Sequence, residues 1–95
     1  MPKQNTIKLN KTAFFDRSQA QEVGEAIRQI NSSKIIVDFF GVDFISRAFA
    51  DEWLNVLGKV TSKKTVTTRN LKPDVKKMIQ IVRKKRRKIN KQVSD

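Results

Sequence analysis

The run KIIVDFF, from Lys34 to Phe40, constrains the fold of this chain more than any other stretch. Ile35, Ile36 and Val37 are consecutive and β-branched, and Gly41 ends the run. A short continuous apolar segment closed by a turn residue predicts a strand buried on both faces, central in a sheet. Such a strand requires neighbours. TIKLN, Thr6 to Asn10, alternates and predicts one strand. KTAFF, Lys11 to Phe15, is either its hairpin partner or a short connector. KTVTTR, Lys64 to Arg69, is rich in Thr and Val and predicts another strand.

Between these segments the apolar period changes from two to 3.6. SQAQEVGEAIRQIN reads as a helix, with Ser18 as N-cap and Gln21 completing a capping box. Ala20, Val23, Ala26, Ile27 and Ile30 form its apolar face. Gly24 weakens this helix by about 1 kcal/mol relative to Ala, and is read as letting it lie close to a sheet. Ser46 caps a second helix, whose face is Phe49, Trp53, Val56, Leu57 and Val60. Pro73 suits a first helical turn, and Asp74 faces the positive end of the dipole. Val75, Met78, Ile79 and Val82 continue that third helix at i, i+3, i+4 and i+7. Helices alternating with strands predict an α/β class: a mixed four-stranded sheet with helices packed on it.

With 95 residues the chain supports one small domain. It has no cysteine and no histidine, so disulfides, thiolate metal sites and the commonest general base are all absent. That fits a cytoplasmic location. No apolar run approaches the roughly 20 residues of a membrane span, and the N-terminus lacks the apolar core of a signal peptide. No Gly-rich phosphate loop or catalytic spacing occurs, so an enzyme is not expected, nor a cofactor.

The net charge of +12 is uneven. Residues 72–95 carry ten Lys/Arg against two Asp, while residues 1–71 carry eleven against seven acids. The run RKKRRK, Arg83, Lys84, Lys85, Arg86, Arg87 and Lys88, places like charges at every i, i+3 and i+4 pair. Such a helix frays unless an anion binds it. Few apolar residues follow Val82, which argues against a membrane-surface helix. No aromatic interleaves the cations, so contacts to nucleic acid would be to phosphates. The expected division is a domain over residues 1–83 and a basic tail or helix extension over 84–95.

The segment VDFFGVDFIS, followed by a helix, a polar strand and LKPDVKKMI, resembles a STAS domain, the fold of bacterial anti-sigma-factor antagonists. More narrowly, VDFFGVDFISRAFADEWL is similar to the STAS-like domains of unknown function, with a signature near DF-x-G-V-x-x-I-S-x-x-F-A-D-E. The resemblance spans residues 5–83 and is strongest over 36–54. It implies a non-enzymatic regulatory module that binds a protein partner through residues 40–52. A histidine-kinase-like ATPase or a transcription regulator is the implied partner, because such modules accompany these domains. STAS proteins are phosphorylated on a serine at this helix start. Here FISRAF lies over the family's FIDSSG, so Ser46 falls on the aspartate, Arg47 on the modified serine, Ala48 on the next serine and Phe49 on the glycine.

The chain thus departs from the family at the switch itself. Ser46 remains a candidate phosphorylation site beside Arg47; the simpler reading is a plain N-cap. Asp43, Ser46, Arg47, Asp51 and Glu52 are the expected partner-binding residues. Asp51 and Glu52 are also explicable as acids early in a helix. Asp38, Asp43, Asp51 and Glu52 have no metal-ligand spacing. Phe39, Phe40, Phe44 and Phe49 are read as core and rim, and Trp53 as core. The alternative function is a small nucleic-acid-binding protein that uses the basic C-terminal helix.

Overall fold

The KIIVD segment is the middle strand of a three-stranded parallel sheet. The computed structural model describes residues 5–94, with side chains through Arg86. Its strands are β1 (Thr6–Lys8), β2 (Ala13–Phe14), β3 (Lys34–Asp38), β4 (Phe44–Ile45) and β5 (Thr65–Arg69). Its helices are α1 (Arg17–Gln29), α2 (Arg47–Val60) and α3 (Pro73–Ser94). The larger sheet has the order β1-β3-β5, and β2 pairs with β4 in a second small sheet. Every pairing is parallel. The α/β class, the three helices and the central position of β3 are as expected. The strands, however, divide between two sheets, and among the described residues none pairs antiparallel. KTAFF is neither a hairpin partner nor a plain connector, since β2 reaches forward to β4.

Both crossovers of the larger sheet, β1-α1-β3 and β3-α2-β5, step in the same direction. Right-handed connections that step the same way place their helices on the same face. Burial follows this. Ile35 and Val37 are buried, with Ile7, Val66 and Thr68 beside them in register. Ile36 points to the other face and is only half-buried. The expectation that β3 is buried on both faces is therefore corrected. Among the described residues no element covers Lys8, Lys34, Ile36, Thr65, Thr67 and Arg69 on that second face. Alternation resumes along β5, where Thr65, Thr67 and Arg69 are exposed.

The core lies between the sheet and the helices. Trp53 is its largest fully buried side chain, with Phe39 edge-on at 5.8 Å and Phe49 stacked at 6.5 Å. α1 packs against α2, and α2 against α3. α1 starts earlier than its sequence suggests. Asp16 is the N-cap, and Gln19 Oε1 accepts the backbone N–H groups of Asp16 and Phe15 at 3.0 and 2.7 Å. Ser18 and Gln21 lie inside the helix. Both Asp16 and Ser18 suit a cap, and the reach of Gln19 decides between them. Gly24 is needed for close approach to α2, not to a sheet: a Cβ there would sit 2.8 Å from Cγ1 of Val56. On α3, Val75, Ile79 and Val82 are buried, and the helix continues without a break past residue 83.

Candidate functional site

The turn between β3 and α2 is built from backbone outward. Asp38 ends β3, and its carboxylate accepts the Phe40 backbone N–H and the Asn70 amide, each at 2.9 Å. Lys8 and Arg69 flank it in register. The Asn70 hydrogen bond, then that of Phe40, holds the Asp38 carboxyl below the usual range. Gly41 takes φ +89°, a backbone state that side chains disfavour. Val42 turns back into the core, and its N–H reaches Phe39 O at 2.9 Å. Between two anchored residues, Phe39 and Val42, Phe40 is left 76% exposed.

Phe44 follows, 44% exposed, with its ring 5.5 Å from that of Phe15, which is 58% exposed. β2 and β4 bring this pair together. Ser46 fastens the arrangement. Its hydroxyl donates to the Phe15 carbonyl at 2.6 Å and accepts the Phe49 N–H at 3.0 Å. It therefore caps α2 and ties the end of β2 to the helix start. Asp43 is exposed and paired with Lys72. Arg47 is exposed, and among the described residues it forms no ion pair.

Asp51 and Glu52 are directed inward, to neighbouring helices. Arg17 Nη1 donates to Asp51 Oδ2 at 2.9 Å and to Glu52 Oε1 at 3.3 Å. Arg86 donates from Nη1 to Asp51 Oδ1 at 2.7 Å and to the Asp51 carbonyl at 3.1 Å. Its Nη2 reaches Asn55 Oδ1 at 2.7 Å. Gln21 and Asn55 each donate to Glu52 at 3.2 Å. This network joins all three helices through α2. Arg86, read from sequence as a phosphate contact, is an internal tie. Arg83, Lys84 and Lys85 are exposed. The side chains of Arg87 and Lys88 lie outside the described residues. Asp38 and Asp43 are each held by partners of their own, Asp51 and Glu52 share Arg17, and among the described residues no group of ligands is placed to hold a metal ion.

The network makes stability depend on pH. Hydrogen bonds from Arg17 and then Arg86 depress the Asp51 carboxyl, and those from Gln21, Asn55 and Arg17 depress Glu52. A carboxylate depressed in the folded state contributes stability above its unfolded value of about 4, which is lost as pH falls through the folded value. Asp51→Asn should therefore lower the melting temperature by a few degrees near neutral pH. The difference from the parent should shrink below about pH 4, as the parent itself loses the charge. Thermal melts across that range test this, and an offset that stays constant down to about pH 2 refutes it.

Phe15, Arg17, Gln21 and Arg86 were not among the residues expected here, Arg86 excepted in a different role. Phe15 and Arg17 bracket the α1 cap; the β2–β4 pairing brings Phe15 beside Phe44, and the packing of α1 on α2 brings Arg17 beside Asp51 and Glu52. No helix of the described residues is long and apolar enough to cross a membrane. No family model, curated protein or solved structure matches this chain.

Proposed function

We propose that this chain is a non-enzymatic, STAS-like regulatory module that binds a protein partner in the cytoplasm through residues 40–52 and Phe15. The observation that carries the reading is the exposure of Phe15, Phe40 and Phe44 around one helix start. Scattered apolar residues on a surface are ordinary. Three phenylalanines held outward by a glycine turn and a capping serine favour contact with another protein. Burying one such ring is worth about 1.5–3 kcal/mol. Asp43, Lys72 and Arg47 supply a polar rim of the kind interfaces carry. Asp51 and Glu52 act on this reading by holding α2 in place. Ser46 acts as the cap, and a phosphate there would remove the hydrogen bond that its hydroxyl donates to Phe15. A histidine-kinase-like ATPase or a transcription regulator is the class of partner the STAS resemblance favours. The absence of His and Cys supports a role without catalysis.

A second reading rests on α3, where Lys76, Lys77, Arg83 and Lys84 are all exposed. A polyanion laid along that face would relieve their repulsion and release counterions. One experiment separates the two. A partner captured from the native host is identified, purified and titrated with the parent and with Phe40→Ser/Phe44→Ser. The double variant should melt within a few degrees of the parent and bind at least about tenfold more weakly, since two buried rings exceed the 1.4 kcal/mol of a tenfold change. Undiminished binding by the variant overturns the protein-partner reading. Capture that nuclease abolishes, and that the variant retains, replaces it with the second.

A further inference from the structure

Arg17 and Arg47 are the first residues of α1 and α2, and both line one cleft of about 390 Å³. α3 closes its other side with Lys85 and Arg86, and Ala48 and Val82 form an apolar floor. Four cations thus face a cleft that holds a single carboxylate, Asp51. That carboxylate is already shared, with Arg17 on Oδ2 and Arg86 on Oδ1. Arg47 and Lys85 form no ion pair among the described residues. Like charges gathered in a concave, partly apolar site repel more strongly than on an open surface, because the local dielectric is lower.

We propose that this cleft binds a phosphate dianion, presented as a phosphomonoester. Three features fit that chemistry. Counting Glu52, which also pairs with Arg17, the four cations face two acids, so a dianion balances the excess without reversing it. A guanidinium offers five N–H donors in a planar fork that suits phosphate oxygens. Arg86 uses three of its donors on Asp51 and Asn55, and Arg17 uses two on Asp51 and Glu52. The remainder are held ready by those same bonds, so little ordering accompanies binding. The N-terminal ends of α1 and α2 meet at the cleft, and their dipoles add positive potential there. The volume exceeds that of a bare phosphate, and the floor of Ala48 and Val82 accommodates an apolar group attached to it.

The site is tested without any protein partner, so its outcome is independent of the function proposed above. The full chain is titrated with inorganic phosphate and with glycerol phosphate, against chloride at matched ionic strength, and binding is followed by calorimetry and by the Arg side-chain resonances. Both phosphates should bind more tightly than chloride by at least about tenfold, the effect of 1.4 kcal/mol. Arg47→Gln/Lys85→Gln should lose that preference and melt as the parent does, because neither side chain has a hydrogen-bond or ion-pair partner among the described residues. Lys59→Gln/Lys63→Gln removes the same charge elsewhere and should keep it. Vesicles containing phosphatidic acid separate a lipid headgroup from a soluble monoester, and loss of either in the Arg47/Lys85 variant supports the site. Phosphate binding no tighter than chloride overturns the proposal. So does equal loss in both double variants, which would mean that only the overall charge matters.

Discussion

Trp53→Ala should cost this domain most of its stability. The indole is 1% exposed and lies between Phe39 and Phe49, where α2 meets the sheet. Removing it leaves a cavity bounded by aromatic rings that cannot collapse without moving α2. Losses for buried Trp to Ala run about 3–5 kcal/mol, against a total of about 5–15 kcal/mol for a typical domain. For a domain of this size each kcal/mol corresponds to about 4–8 °C, so the melting temperature should fall by more than about 12 °C. Circular dichroism is the suitable probe, since Trp53 is the sole tryptophan. Phe40→Ala provides the contrast, because that ring is 76% exposed and should change the melt little. Similar losses for both variants would contradict the placement of the core.

Gly24→Val should destabilise the domain by the opposite route, overfilling a contact rather than emptying one. A Cβ at Gly24 would lie 2.8 Å from Cγ1 of Val56, closer than side chains approach, and 3.2 Å from its Cγ2, a tight contact. Val56 cannot swing aside, because a β-branched residue in a helix has one favoured rotamer. The helices must therefore separate, and overpacking of this kind costs about 1–3 kcal/mol. Better helix propensity returns only a few tenths of a kcal/mol for Val over Gly. Space restored from the other side should rescue it. In the Val56→Ala background, Gly24→Val should cost at least about 1 kcal/mol less, a coupling within the usual range for residues in contact. Denaturant melts of the four proteins complete the cycle, and simple additivity would show that the two helices do not meet at this glycine.

The sequence carried the elements better than their arrangement. Period 3.6 around Val23, Ile27, Trp53, Val56, Val75 and Ile79 marks three helices, and all of these residues are buried. Ser46 is legible as a cap because a serine before an apolar stripe has few other uses. β2 and β4 have two residues each, too few to show any period. Their pairing, and with it the meeting of Phe15 and Phe44, depends on long-range closure. The run Ile35–Val37 overstates burial, since Ile36 is half-buried on a face without helices. Asp51 and Glu52 looked like surface acids because their partners, Arg17 and Arg86, lie about 35 residues away on either side. Arg86 did leave one trace. It follows Val75, Ile79 and Val82 at the next position of their stripe, where a long aliphatic stem can cover the core while its head finds an acid.

Parallel pairing throughout has a consequence for how the chain finds its structure. Thr6 meets Ile36, Ala13 meets Phe44, and Lys34 meets Thr65. Each ladder therefore closes a loop of about thirty residues, and no tight hairpin offers a local starting point. Closure on that scale is entropically costly before any contact compensates it, and such topologies reach their native state slowly. β1 and β2 share nearly the same offset to β3 and β4, so one docking event, with α1 folded against the nascent α2, would zip both ladders together. On the ribosome, the N-terminal strands would wait unpaired until the segment through Ile45 had emerged, and β3 would wait again for β5. The waiting edges are short and carry Lys8 and Lys34, charges that discourage pairing between chains during that delay.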